Sequence, residues 1–391
     1  MSVNPRNSKS KSKMTDHIPF EIQSEIMRRL PVKSLLRFRS VSNSCKSLID
    51  SSHFIKHYIG PQQHLLVKYL DVDSFIKKYV SIVDDDDRTF PVQDLSPILP
   101  PYVYILDNLS IIGSFHGLLC LYDSNHNTNA MNLAVLWNPS IRKAVGVVVP
   151  ETEDNNEDRT VLGFGVCPET NDPKIVKITH SNDLWQVEVF TLSTGAWRSP
   201  HGSIFPRSNS IFIRWDQVVL DGCVYWLATD DTSEISRDSY HLIISFDITS
   251  EEFKEVSLPD ALATCNHENY LTISKLMNSL VVLERNEGEM LYNVWMMEDG
   301  VSKLFIKIFT ICRLDDVAIL RPFVLEFRKS GEPVIRVDRI PGRSLVVYEP
   351  NSKRINNLGV NAGCFFDVTT YMETLLLLDQ PDNFIYENKK V

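Results

Sequence analysis

An apolar residue that ends one β run and is answered seven positions later, across a polar turn, recurs along most of this 391-residue chain. Phe190 is answered by Trp197, Phe246 by Phe253 and Tyr348 by Ile355, with Trp137 and Ala144 a weaker copy. Trp295 leads a hairpin with a longer turn at Glu298-Asp299-Gly300, and Val83 leads one to Phe90 across Asp84 to Asp87. The leading positions 83, 137, 190, 246, 295 and 348 stand 54, 53, 56, 49 and 53 residues apart. Four hairpins follow a β run led by Gly117, Gly222, Asn278 or Gly331. The pattern holds from about Leu65 to Asp379, with short β runs, polar breaks and almost no helical periodicity. Such a unit cannot bury both its faces alone and must stack on copies of itself. Roughly four short strands per unit and six units predict a six-bladed β-propeller over residues 63–385. Its closing strand is expected at Thr374 to Leu378, beside Leu65 to Tyr69.

A different kind of sequence precedes the repeats. Residues 1–62 hold 11 Lys+Arg against 4 Asp+Glu, a net of +7; residues 63–391 hold 29 against 46, a net of −17. A sign change at a composition boundary marks two modules with different partners. Residues 1–14 read as a disordered basic tail. Residues 15–60 read as a helical domain. Ile22, Ile26 and Leu30 recur every four positions on a first short helix, and Pro31 stops it and opens a second. Ser42 to Ile49 supplies a third, and Ser51 or Ser52 caps a fourth carrying Phe54, Ile55 and Tyr58. So few residues bury little surface, and a module of this size completes its core against something else. The fold class is therefore α+β and multi-domain, short helices followed by an all-β propeller.

The helical residues carry a resemblance. Ile18-Pro19-Phe20-Glu21-Ile22, then Glu25-Ile26-Met27-Arg28-Arg29-Leu30-Pro31-Val32-Lys33-Ser34-Leu35-Leu36-Arg37-Phe38-Arg39, resembles a plant F-box. Gly113 to Cys120, Leu136 to Arg142, Gly163 to Gly165, Val187 to Trp197, Asp221 to Trp226 and Ile244 to Asp247 resemble the plant F-box-associated, kelch-like domain, with the S-locus group similar in architecture. The resemblance implies docking on the Skp adaptor of a cullin–RING ubiquitin ligase, with the propeller binding a protein substrate. It implies adaptor contacts by Ile18, Pro19, Ile22, Ile26, Leu30, Pro31, Leu35, Val41 and Leu48. Arg28, Arg29, Lys33, Arg37 and Arg39 would steer encounter with an acidic adaptor. Cys45 stands where the family carries tryptophan, a substitution that removes a large buried ring.

Candidate chemistry is sparse. His53 and His57 share a helix face, but no Glu or Cys completes a metal site, so they read as solvated or capping residues. No P-loop, GxSxG or HExxH occurs. Gly163-Phe-Gly165 is too short for a dinucleotide fingerprint and reads as a bulge or a close strand approach. These observations favour a non-catalytic interaction protein without cofactor or metal; a propeller enzyme or an adaptor-free scaffold is the alternative. The acidic propeller argues against nucleic acid. No apolar run reaches the ~18 residues of a membrane span. Seven dispersed cysteines and no apolar leader predict a reduced protein of the cytoplasm or nucleus. The acids Asp84, Asp85, Asp86, Asp87, Glu151, Glu153, Asp154, Glu157 and Asp158 are expected to be exposed. They would frame one rim that attracts a basic substrate.

Overall fold

The computed structural model describes residues 18–85, 90–95, 109–123, 132–151, 159–181, 184–200, 205, 211–230, 240–264, 269–286, 291–298, 304–311, 322–339, 342–363 and 365–387. The basic tail at 1–14 and the acids Asp86, Asp87, Glu153, Asp154, Glu157 and Asp158 lie outside these residues.

The four expected helices are present as α1 (Phe20–Arg28), α2 (Val32–Phe38), α3 (Asn43–Ile49) and α4 (Ser52–His57). Pro19 and Pro31 occupy the N-caps of the first two, where no N–H is needed. Ser42 and Ser51 cap the others, each hydroxyl accepting from the backbone N–H three residues on, those of Cys45 and Phe54. After Tyr58 the chain enters the first strand directly.

Six antiparallel sheets follow. The first contains β1 (Ile59–Leu70), β2 (Lys77–Val83) and β3 (Val92–Asp94). The second contains β4 (Leu109–Phe115), β5 (Leu118–Asp123), β6 (Leu133–Asn138) and β7 (Lys143–Val148). The third contains β8 (Arg159–Val166), β9 (Pro173–Ser181), β10 (Leu184–Thr191) and β11 (Ala196–Arg198). The fourth contains β12 (Ile211–Leu220), β13 (Cys223–Asp230), β14 (Tyr240–Asp247) and β15 (Phe253–Ser257). The fifth contains β16 (Asn269–Leu276), β17 (Ser279–Asn286), β18 (Leu291–Glu298) and β19 (Leu304–Ile311). The sixth contains β20 (Phe323–Phe327), β21 (Pro333–Arg339), β22 (Gly342–Glu349) and β23 (Arg354–Ala362). Then β24 (Phe366–Thr374) returns to pair with β1, supplying the inner strand of the first blade. A last short strand, β25 (Ile385–Tyr386), lies parallel to β7 at the outer edge of the second.

The repeating hairpins are the turns between third and fourth strands. Trp137 faces Ala144, Phe190 faces Trp197, Phe246 faces Phe253 and Tyr348 faces Ile355 as direct cross-strand partners. Alternate residues of each strand point to opposite neighbours. On β1, Leu65 and Val67 pack toward the sixth blade while Leu66 packs toward the second. An apolar cluster of this kind fills every blade junction, so central strands are buried on both faces and read as continuous apolar runs.

The closing strand lies earlier than the sequence suggested. Thr374 ends β24, and Leu375 to Leu378 form a buried turn instead of a strand. Its Leu375 and Leu377 carbonyls accept from the backbone N–H groups of Leu378 and Gln380, and its other carbonyls from side chains. The Asn138 amide donates to Thr374 and Leu376 oxygens at 3.0 and 2.8 Å, and Lys143 Nζ donates to Leu378 O at 3.1 Å. Leu376 and Leu377 join the second blade's core, while Leu375 and Leu378 complete the core of the helices. The small helical module thus finishes its interior on the propeller, as its size demanded. Glu373 Oε2 adds a polar tie by accepting from the Val32 N–H at the start of α2, 3.0 Å away.

Candidate functional site

Because α4 leads into β1, the helices cover the propeller face that carries the turns between first and second strands and between third and fourth. The longer connections at 95–108, 149–158, 199–210, 258–268 and 312–322 all join strand ends on the opposite, far face.

On the helical module, α1 buries only Met27. Ile18, Phe20, Ile22 and Ile26 are 52%, 56%, 52% and 49% exposed, and Val41 is 70% exposed. Single exposed apolar residues are ordinary, but Ile22 and Ile26, one turn apart on α1 with Ile18 just before its start, make a surface that lacks a cover, while Phe20 lies on the other side of the helix. Phe20, the most exposed of the four, was not singled out by the four-residue spacing, since it is offset by two from Ile18 and Ile22. Pro19 and Pro31 are exposed and Leu30 is half-buried. Leu35 and Leu48 are not available to an adaptor. They are 0% and 5% exposed, packed with Val32, Ile49, Phe54 and the propeller's Leu375. A pattern of apolar positions does not distinguish an inward residue from an outward one when a module uses two apolar faces.

The basic residues also divide. Lys33 and Arg37 are exposed. Arg39 grips Asp50 with both arms at 2.5 and 3.0 Å, and Arg29 pairs with Glu25 one turn away at 3.0 Å. Arg28 lies over the Phe54 ring and against His53. His53 and His57 stack at 4.5 Å, and His57 Nδ1 meets the His53 carbonyl at 2.8 Å near the end of α4. Among the described residues no group of three His, Cys, Asp or Glu is placed to hold a metal ion. Cys45 is half-buried against the helical core.

Of the acids expected at one rim, Asp84, Asp85 and Glu151 are among the described residues. Asp84 is buried, not exposed. Its carboxylate accepts from Arg328 Nε at 2.7 Å, from the Lys329 N–H at 2.9 Å and from Gln63 Nε2 at 3.2 Å. Arg328 also donates to the Asp85 carbonyl and pairs with Glu332. A guanidinium that reaches back from the sixth blade makes burial of this aspartate affordable, a contact that no local sequence signal announces. The second acidic segment begins at Glu151, which is exposed. It leaves β7 on the far face, whereas the Asp84 turn lies on the helical face, so the two segments start on opposite sides.

The inner strands β4, β12, β16, β20 and β24 line a central cavity of about 880 Å³. No residue of β8 lines it. The Gln217 amide crosses to β8, accepting from the Phe164 N–H at 2.8 Å and donating to the Phe164 carbonyl at 2.9 Å. Gly163 sits where any Cβ would strike the Trp226 ring, and the β8–β9 register is unbroken. The Gly-Phe-Gly segment is therefore a close approach between blades and not a bulge. Toward the helical end of the cavity, Glu326 accepts from Ser274 Oγ and the Phe327 N–H, and burial raises its carboxyl to about 7. Nearby His116 is shifted down by burial and by the Lys275 charge.

Two family patterns match this architecture. The F-box domain matches residues 16–57, and the F-box associated beta propeller domain matches residues 76–349. The chain belongs to the F-box associated β-propeller family. Among its relatives, F-box protein CPR1 of Arabidopsis thaliana is 26% identical over 373 residues, covering 88% of this chain and 84% of that one. An F-box/kelch-repeat protein of the same plant is 24% identical over 378 residues, covering 92% and 95%. Of solved structures, the periplasmic gluconolactonase of Pseudomonas aeruginosa covers 79% of this chain and 99% of its own, at a TM-score of 0.41 and 10% identity. That likeness is too slight to carry an argument. An F-box joined to a propeller is the substrate-recognition architecture of SCF F-box proteins, which are generally adaptors rather than enzymes.

Proposed function

We propose that this F-box protein is the substrate-recognition subunit of an SCF-type cullin–RING ubiquitin ligase. Exposed Ile22 and Ile26, one turn apart on α1, with Ile18 just before its start, form a stripe that docks on a Skp-type adaptor, and the propeller holds a protein substrate on its far face. Ubiquitin transfer belongs to other subunits, and the complex works in the cytoplasm or nucleus. The observation that carries this reading is that stripe, left in water by a module whose own core is already closed on the propeller. Covering it removes apolar surface at about 25 cal/mol per Å². Pro19, Pro31 and half-buried Leu30 border it, and Lys33 and Arg37 supply positive charge for encounter with an acidic partner.

The far face suits a protein substrate because the strand ends joined by the long interblade connections open onto it and it carries an apolar prominence. In the β1–β2 turn, Asp71 accepts from the Ser74 N–H and hydroxyl and pairs with Lys78, which holds Phe75 and Ile76 outward at 77% and 59% exposure. The direct test is capture of the full chain by a purified Skp-type adaptor. Ile22→Asp and Ile26→Asp are expected to abolish capture with the melting temperature unchanged, since a docked carboxylate would be desolvated without a partner. Capture that survives both substitutions overturns the assignment of this face.

A further inference from the structure

The helical end of the central cavity holds opposite charges that do not meet. Glu326 stands there on β20, its carboxyl raised to about 7 by burial, against the Phe327 and Thr370 N–H groups, the Ser274 hydroxyl and the Lys275 charge. The bonds from Ser274 Oγ and the Phe327 N–H, at 3.4 and 3.0 Å, both go to Oε1. Lys275, next to Ser274 on the neighbouring β16, lines the same space. Its charge acts on Glu326 and, from across the ring, on His116 of the β4–β5 turn. Yet its ammonium makes no ion pair or hydrogen bond among the described residues. Ser114 Oγ, two residues before His116, is buried and also makes none.

An ammonium and a carboxylate that share a partly dried space without touching are each only half compensated. Elsewhere the chain closes such a gap, as where Arg328 meets Asp84 at 2.7 Å. Here the gap stays open, and an unused hydroxyl and an imidazole border it. The cavity of about 880 Å³ is of the size that takes small ligands. Val218, Ile273 and Leu325 give it apolar wall. The turn residues His116, Gly117, Asp221, Gly222 and Asn278 line it as well, while no residue of α1 to α4 does. It therefore reaches the helical face beside the helical module.

We propose that this end of the cavity binds a small zwitterion of the amino-acid class, its carboxylate on Lys275, His116 and Ser114 and its ammonium on Glu326. A lone anion would answer Lys275 but set a second negative charge beside Glu326, and a lone cation would do the reverse. A zwitterion answers both and adds no net charge. Burial and the Lys275 charge keep His116 neutral, and a neutral imidazole still donates one N–H to a carboxylate. An apolar side chain on the ligand meets Val218, Ile273 and Leu325. The site lies apart from α1 and from the far face, so it stands independently of the receptor reading.

The test is isothermal titration calorimetry of the full chain near neutral pH with L-phenylalanine, 3-phenylpropionate and 2-phenylethylamine, which share a ring and differ in charge. L-Phenylalanine is expected to bind about ten-fold tighter than either of the others. Lys275→Met should weaken it about ten-fold and Lys275→Arg less. The melting temperature of both variants should change little, since this ammonium holds no bond within the described chain. Glu326→Gln should weaken L-phenylalanine while leaving 3-phenylpropionate no weaker, a split that a merely structural role would not produce. Absence of L-phenylalanine binding overturns the proposal, because water alone then fills the cavity. Equal binding of either singly charged probe overturns it too, as does L-phenylalanine binding that ignores Lys275→Met. Failure of adaptor capture with L-phenylalanine binding retained would instead strike the receptor reading and leave this site standing.

Discussion

The propeller and the helical module solve the same problem in opposite ways. Each blade buries both faces against identical architecture, so the apolar residues of its central strands are consumed within the chain. The helices bury one face, lean on Leu375 and Leu378 for the remainder, and leave a second apolar face on α1 in water. The lesson is that exposed apolar surface means most where the surrounding module has no need of it. On a blade junction Ile22 would be a packing residue; on α1 it is an unfilled contact.

The comparison is broken most severely at its buried ion pair. Replacing Asp84 with Asn leaves Arg328, 3% exposed, with Glu332 as its remaining carboxylate, and is expected to cost about 2–3 kcal/mol of propeller stability in denaturant unfolding. A variant that melts like the parent would return Asp84 to the exposed acidic set. Comparable in size is Leu35→Ala, which opens a cavity where helices and propeller meet and is expected to cost about 2–5 kcal/mol. If helices and propeller form one cooperative unit, far-UV and tryptophan signals will shift together; separate transitions would show that Leu375 and Leu378 contribute little.

A smaller effect is set by pH. Glu326 has its carboxyl raised from 4.5 to about 7 by burial. Folding therefore takes up a proton between those values, so the stability this group contributes is complete below about 4.5 and lost as pH rises through about 7. Glu326→Gln should remove up to about 3 kcal/mol of that dependence, leaving a flatter stability profile from pH 5 to 8. An unchanged profile would mean that water in the cavity solvates the carboxylate. Smallest of all on stability is Ile26→Asp, expected within about 0.5 kcal/mol of the parent because the side chain is already in solvent. Large destabilisation by Ile26→Asp would erase the distinction between the two apolar faces.

Much of this was readable from local sequence. The seven-residue hairpins gave blade number and phase because a two-strand turn is a short-range object. The strand pairs Phe190–Trp197 and Phe246–Phe253 needed no distant information. Proline and serine positions marked the helix starts for the same reason, since caps act on N–H groups three residues away. Four of the nine expected adaptor residues are clearly exposed near or on α1, at Ile18, Pro19, Ile22 and Ile26.

What the sequence determined by itself was therefore periodic: six blades, four helices, a charge boundary between them, and a stripe on α1. What only the tertiary structure decided was which side of each pattern meets another part of the chain. Leu35 and Leu48 turned inward because the propeller offers Leu375 and Leu378, more than three hundred residues away. Asp84 became an internal anion because the sixth blade brings Arg328 within 2.7 Å. Burial and electrostatic field depend on neighbours in space, and a closed ring places its first and last blades beside one another without leaving any local trace.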